Sequence, residues 1–320
     1  MDVIGLDIGY SNLKMAYGDK EGTCQTLIRP AGAAPKSDMP ERIMGNREDI
    51  LVLVDDIPYV AGIEPDRAES WVREMHRDYP FTRSWRALFH AALLLSERDA
   101  VNRLVTGLPV NQYLDMDLRK RLKGSIEGTH QVTPKRKVLV EEVKIVPQPL
   151  GGFIDYIWSL EDAAEMEDSR VLVVDPGFFS VDWVVIDKAE LDRSSSGTSM
   201  EASSVVLEEA ARLIAMEHGG NVGRERLENA VRTGKRTVRL FGQAVEIEPY
   251  LKQAVSKVGP RVATVLREAL RKETLAADLI LVVGGGASFF REPVQEAFPR
   301  FPLVVPDDPV LANARGFWRL

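Results

Sequence analysis

Two stretches in opposite halves of the chain are built on one plan, and that plan constrains the fold more than any other feature. Val3 to Leu6 is a run of strand-forming character that delivers Asp7, after which Gly9 allows a sharp turn and Leu13 to Tyr17 returns as a second strand. Val171 to Val174 is wholly apolar, delivers Asp175, turns at Gly177 and returns over Val181 to Ile186. Each stretch reads as a β-hairpin that places a carboxylate beside free backbone N–H groups, and the first adds Ser11, Asn12 and Lys14. Such a set suits a nucleotide phosphate and its metal: the amides and Lys14 meet phosphate charge, and an aspartate can hold hydrated Mg²⁺ through its waters. One aspartate followed by a glycine is most often only a tight turn. Its repetition changes the reading, as does a third apolar strand, Leu279 to Val283, that ends in Gly284-Gly285-Gly286. Three successive glycines there require the backbone to lie close against a ligand or another segment.

The 320 residues exceed what one core usually supports, so two domains are expected. Forty-one basic and 48 acidic residues give a net charge of −7, which argues against a broad surface for nucleic acid or an anionic membrane. The dense basic clusters, Arg119-Lys120-Arg121 with Lys123 and Lys135-Arg136-Lys137, read as solvated faces. The single cysteine, Cys24, rules out an internal disulfide and a cysteine-based metal cluster, and points to the cytoplasm. No signal peptide is expected, because the N-terminus opens directly into a strand, and no apolar run approaches transmembrane length.

Along the chain, Cys24 to Ile28 is expected to extend the first sheet. Arg29 to about Glu48, punctuated by Pro30, Gly32, Pro35, Pro40 and Gly45, is expected as an irregular excursion, with short paired strands at Ile50 to Val54 and Pro58 to Ala61. Trp71 to His76 reads as a helix, and Ser84 as the cap of a firmer one. Val101 to Thr106 is a strand ending in Gly107-Leu108-Pro109, and Tyr113 to Lys123 an amphipathic helix. Strands at Val138 to Val140 and Val143 to Val146 lead through Pro147 to Gly152 into a helix over Phe153 to Leu160. Glu161 to Asp168 is a charged connection and the expected domain boundary. In the second half, Ser194 to Ser204 reads as a loop, Val205 to Glu217 and Arg224 to Arg232 as helices, and Thr237 to Glu248 as a hairpin around Gly242. A long helix follows, with Pro260 expected to kink it.

At this point the chain resembles the actin, heat-shock chaperone and sugar-kinase superfamily of ATPases. Asp7-Ile8-Gly9-Tyr10-Ser11-Asn12-Leu13-Lys14 resembles its first phosphate motif, and Asp175-Pro176-Gly177-Phe178-Phe179-Ser180-Val181-Asp182 its second. Gln148-Pro149-Leu150-Gly151-Gly152 and Leu311-Ala312-Asn313-Ala314-Arg315-Gly316 are similar to its connecting motifs, and Val283-Gly284-Gly285-Gly286-Ala287 to its adenosine motif. Within the superfamily, Thr106-Gly107-Leu108-Pro109-Val110 resembles a segment of the bacterial plasmid-partition actins, the ParM/StbA group. The resemblance implies an α/β, two-domain actin-like (ribonuclease-H-like) ATPase fold with a nucleotide cleft between the domains. It assigns 1–160 plus 302–320 to domain I, with an inserted subdomain at about 29–75, and 161–301 to domain II, with a smaller subdomain at about 200–248.

The resemblance also implies ATP or ADP with Mg²⁺ as cofactors, slow ATP hydrolysis, and assembly into filaments that move or position plasmid DNA through a DNA-binding adaptor. It makes Asp7, Gln148 and Asp175 catalytic, with Asp7 and Asp175 holding Mg²⁺ through water. It gives nucleotide contacts to Gly9, Ser11, Asn12, Lys14, Gly177, Phe178, Ser180, Gly284, Gly285, Gly286 and Ala287; Arg224 and Arg226 lie where the family's second domain reaches the purine, and they read equally as stacking on it, Arg226 above all, or as a solvated helix face. Two departures matter. Pro176, Phe178 and Phe179 make the second phosphate turn bulkier and poorer in amides than the family prefers. Gln148 stands where several partition actins carry glutamate; it can orient a water but not take its proton.

The rivals are a small-molecule kinase of the same superfamily, for which no second-substrate motif is found, and a nucleotide-sensing scaffold with negligible hydrolysis. His76, His90, His130 and His218 lack metal-ligand spacing and read as surface or helix-end residues. Trp71, Trp85, Trp158, Trp183 and Trp318 read as core or interface fillers. The excursion and the region from Arg224 to Arg239 are the candidate self-contact surfaces.

Overall fold

The computed structural model describes residues 1–41, 49–68, 74, 76–271 and 277–320. The helix expected over Trp71 to His76, and the excursion from residue 42 onward, therefore lie largely outside the described residues. These divide into two units, residues 1–163 with 308–320, and residues 164–307.

The first unit opens with β1 (Asp2–Ile8), β2 (Asn12–Asp19) and β3 (Gln25–Pro30), and continues through β4 (Gly32–Pro35), β5 (Ile50–Val54) and β6 (Ile57–Ile63). It then adds β7 (Ala100–Leu108), β8 (Gly128–Thr133) and β9 (Arg136–Pro147). The main sheet has the order β3-β2-β1-β7-β9-β8, with β1, β7 and β9 parallel and the others antiparallel. Its helices are α1 (Arg83–Leu95), α2 (Val110–Tyr113), α3 (Met116–Ile126) and α4 (Gln148–Ser159), with a C-terminal helix over Ala312–Arg319. Ile4, Leu6, Leu13 and Met15 share a core with Leu88 and Phe89 of α1, and with Leu118, Leu122 and Ile126 of α3. The central strand β1 is apolar almost throughout because both of its faces are covered.

Several elements differ from the sequence reading. Within the expected excursion, Gly32–Pro35 is a strand pairing with β6, and its small residues Ala33 and Ala34 are buried there. Thr82, not Ser84, caps α1, its hydroxyl accepting from the Trp85 N–H at 3.2 Å. Asp115 splits the expected Tyr113 to Lys123 helix by capping α3, accepting from the amides of Asp117 and Leu118. The two strands expected at Val138 to Val146 are one, and β8 pairs with its first half. α4 begins at Gln148 rather than Phe153, since proline fits a first helical turn, where its missing N–H has no partner to lose.

The second unit contains α5 (Ala164–Glu167), β10 (Arg170–Pro176), β11 (Val181–Asp187) and β12 (Glu190–Ser199), then α6 (Ser203–His218) and α7 (Arg224–Arg232). The hairpin β13 (Thr237–Leu240) and β14 (Gln243–Glu246) leads into α8 (Glu248–Arg271), which holds Pro260 in its interior. β15 (Leu279–Val282), α9 (Ala287–Ala297) and β16 (Leu303–Val304) complete it, in a sheet of order β12-β11-β10-β15-β16. The Ser-rich stretch expected as a loop is mostly β12: it pairs with β11, and Trp183 Nε1 donates to Ser195 O at 2.9 Å. α9 was absent from the sequence reading. Among the described residues no helix is long and apolar enough to cross a membrane.

Candidate functional site

In the first unit the parallel strands β1, β7 and β9 end together at their carboxyl ends, the usual place for a ligand in an open α/β sheet. β1 delivers Asp7 there, only 1% exposed, and β9 runs directly into Gln148. Gly9 N–H donates to Asn12 O at 3.0 Å and closes the turn. Register sets Asp7 opposite Lys14, and Lys14 Nζ lies 2.8 Å from Asp7 Oδ2. Gln148 Nε2 donates to the other oxygen, Oδ1, at 3.1 Å. A carboxylate can only accept, so this contact fixes which end of the Gln148 amide faces Asp7 and leaves its carbonyl oxygen as an acceptor.

The turn carries a clamp that the sequence reading missed. The Tyr10 ring stacks on Tyr79 at 4.6 Å, Tyr10 Oη donates to His76 O at 3.0 Å, and Tyr79 Oη reaches Gly9 O at 3.5 Å. An aromatic residue beside Pro80 was the only local sign of it. Ser11 is tied through its carbonyl to Ala31 N–H, whereas Asn12 Oδ1 is buried with no hydrogen-bond partner. Below the turn, α4 crosses the C-terminal helix at close range: a Cβ on Gly316 would collide with the Gly151 backbone. Asn313 Oδ1 accepts from Gly152 N–H at 3.0 Å, and Arg315 holds Asp155 with both Nε and Nη2. The two stretches that resembled connecting motifs thus lock together and fix where α4 presents Gln148.

The second unit repeats the plan with other means. β10 delivers Asp175, 7% exposed, beside the parallel strand β15, and Gly177 N–H donates to Ser180 O at 2.8 Å. Asp175 lies opposite Asp182 in the register. Asp182 is buried and accepts from the hydroxyls of Ser180 and Thr198, each at 2.6 Å, so two hydroxyl donors face its charge. The amides of Ser203 and Ser204, at the start of α6, donate to the carbonyls of Gly177 and Phe178 at 3.3 and 2.9 Å. The triglycine turn presses on Asp175: Gly284 has φ +81°, and a Cβ on it would collide with Asp175 Oδ1. Gly286 N–H donates to Pro176 O at 2.8 Å, and Gly285 faces open space. Ser203 Oγ is buried without a partner beside Gly286.

Asp7, Gly9, Ser11, Asn12, Lys14 and Gln148 therefore converge in one unit, and Asp175, Gly177, Phe178, Ser180 and Gly284 to Ala287 in the other. Arg226 is exposed on α7; its neighbour Arg224 lies over the Phe178 ring and pairs with Glu208 and Glu225. Each half-site combines a glycine turn, a buried carboxylate and an orphaned buried polar atom, and this set fits a phosphorylated ligand with its cation. Among the described residues no three His, Cys, Asp or Glu side chains gather to hold a metal ion. A cation at Asp7 or Asp175 would complete its shell with water and phosphate oxygens, the habit of Mg²⁺.

The family model for the N-terminal domain of actin-like proteins matches residues 5–151, and that for the C-terminal domain of archaeal MreB-like actin homologues matches residues 173–296. No curated protein matches the chain. Among solved structures, a non-polymerisable ParM quadruple mutant is similar, with a TM-score of 0.78 and 18% identity over 99% of this chain and 98% of that one. A 15-stranded ParM filament from Clostridium botulinum gives 0.76 and 18% over 99% and 97%. An archaeal actin homologue in complex with ADP gives 0.74 and 19% over 99% and 98%. Identities this low speak to the fold.

Proposed function

Because the chain belongs to the actin-like superfamily, we propose that it binds Mg²⁺–ATP, hydrolyses it slowly and uses the bound nucleotide to control its own assembly into filaments. The observation that carries this reading is the repeated half-site, a buried aspartate at a strand's carboxyl end beside a glycine turn and a parallel strand, once in each unit. In the proposed chemistry the amides of the two turns hold phosphate oxygens, and Lys14 swings from Asp7 to the β- and γ-phosphates. Asp7 and Asp175 are the carboxylates that would hold the cation through its waters. Mg²⁺, when bound, neutralises phosphate charge and acts as a Lewis acid. Gln148, its amide oriented by Asp7, offers its carbonyl oxygen to the attacking water. A neutral amide takes up no proton, which makes the hydrolysis slow. Gly284 to Ala287 support the adenosine, with Arg226 against the purine. ATP favours assembly because it binds the assembling conformation more tightly, and hydrolysis removes that preference. With a DNA-binding adaptor, such filaments would segregate plasmid DNA in the cytoplasm.

One observation favours a second reading, a nucleotide sensor with negligible hydrolysis: Lys14 and Gln148 both engage Asp7. Phosphate release measured beside sedimentation separates the two. The first reading expects pelletable polymer with ATP or a non-hydrolysable analogue, less with ADP, and slow phosphate release that Asp7→Ala abolishes. Hydrolysis with flat light scattering would replace self-assembly by a partner-dependent ATPase. Binding without phosphate release would leave the sensor, and a protein that binds no nucleotide would end both readings.

A further inference from the structure

The hairpin β13–β14 turns through Phe241 and Gly242, both at positive φ, 50° and 80°. A two-residue turn of this kind favours Asn, Asp or Gly at its first position, because a larger side chain there crowds the following carbonyl. Phe241 runs against that preference. It is also 77% exposed, with one ring edge against Gly220. In the isolated chain the residue is unfavourable twice, through its backbone and through its wetted ring. Around it the sequence turns basic: residues 229–245 hold Arg232, Lys235, Arg236 and Arg239 and no acidic residue, in a protein whose net charge is −7. Lys235, Arg236 and Arg239 are exposed, and Lys235 and Arg239 have no ion-pair partner among the described residues.

The same chain carries a surface of the opposite sign. Trp158, near the end of α4, is 62% exposed, with Arg319 over its ring at 4.9 Å. It leads into residues 161–168, which hold Glu161, Asp162, Glu165, Glu167 and Asp168 and no basic residue. Glu161, Asp162, Glu167 and Asp168 are exposed.

We propose that these patches are the two halves of one contact between copies of this chain, the Phe241 hairpin of one copy docking on Trp158 and the acidic segment of the next. An aromatic anchor inside a charged rim is the composition found at the energetic centre of interfaces, and opposite charges set which surface meets which. The two halves differ, so the contact is heterologous and repeats head to tail. This proposal rests on the self-assembly reading above and names the surfaces that carry it.

The test is a charge swap on the full chain. Lys235→Glu with Arg239→Glu reverses one patch, and Glu161→Lys with Glu167→Lys the other. Each reversed protein alone should need at least about tenfold more protein to assemble with MgATP, whereas the chain carrying all four changes, and an equimolar mixture of the two reversed proteins, should assemble near the wild-type concentration. Phe241→Gly relieves the turn, so it should hold or raise the melting temperature while weakening assembly; a merely structural Phe241 would do the reverse. Reversed proteins that assemble like wild type, or a swap that restores nothing, would overturn the proposal. If wild type forms no polymer with any nucleotide, sedimentation velocity on concentrated wild type still decides: short oligomers that either single-patch reversal removes uphold the contact, and monomers only overturn it. Titration with a fluorescent ATP analogue judges the nucleotide reading separately.

Discussion

Lys14 and Gln148 hold the two carboxylate oxygens of Asp7, whereas at Asp175 a glycine turn packs against the carboxylate, with Gly284 against Oδ1 and Gly286 bonded to the neighbouring Pro176 carbonyl. The two hairpins share strand pairing, turn closure and a flanking parallel strand, so the difference lies in how each carboxylate is held. An ion pair and an amide can be exchanged for a ligand by rotating side chains; a close-packed glycine turn can only accept or exclude. In the proposed function the first half-site carries the chemistry and senses what is bound, and the second fixes position.

Acid should affect the two units differently. Burial pulls His90 down to about 4, with its Nδ1 against Leu53 O at 2.6 Å, and it also lowers the neighbouring His130, whose ring lies 5.6 Å away. The unfolded chain takes up a proton near pH 6.5, while the folded His90 refuses it until about pH 4. Stability is thus fully present above pH 6.5 and lost as pH falls toward 4, by on the order of 3 kcal/mol from His90. The histidine described in the second unit, His218, is exposed. Urea melts at pH 7 and pH 5 should show the first unit losing stability before the second, and His90→Gln should flatten that dependence. Equal losses in both units would break this contrast.

The next effect belongs to the gripping side chains. Gln148→Ala should lower phosphate release by about 10²-fold while leaving ATP affinity nearly unchanged, because the amide positions a water that matters only as the bond breaks. A variant that binds ATP poorly yet turns over at the wild-type maximum would move Gln148 into ground-state binding. Smaller still is the effect of crowding the other half-site. Gly284→Ala should weaken nucleotide binding by about tenfold and leave maximal turnover within a few-fold, since it shifts where Asp175 sits. If Gly284→Ala instead abolished turnover at saturating ATP, the division between a chemical and a positioning half-site would fail.

Both hairpins were legible because buried parallel strands leave nearly continuous apolar runs, and Asp7 and Asp175 interrupt them. The triglycine turn was legible for the same reason. What escaped was fixed by tertiary contacts rather than local pattern. β12 is a serine-rich edge strand that exists because β11 pairs with it. α9 follows three glycines and contains Pro293, both of which speak against a helix locally. Pro149, Gly151 and Gly152 read as loop, yet Pro149 suits a first helical turn and Gly151 meets Gly316 where α4 crosses the C-terminal helix. The exposed-histidine reading failed at His90, which is buried on α1 under β5, and nothing in the spacing of four scattered histidines signals that. Tyr79 and Ser203 act on turns far from them in sequence, which a single chain read in order does not reveal.

In the proposed function Asp7 and Asp175 both act on one Mg²⁺–nucleotide. A double-mutant cycle tests it directly, with MgATP affinity measured for wild type, Asp7→Asn, Asp175→Asn and the double variant. Carboxylates sharing one hydrated cation should be coupled by at least about 1 kcal/mol, so the double variant binds differently from the sum of the single losses. Losses that add within about 0.3–0.5 kcal/mol would show two independent sites and contradict the account.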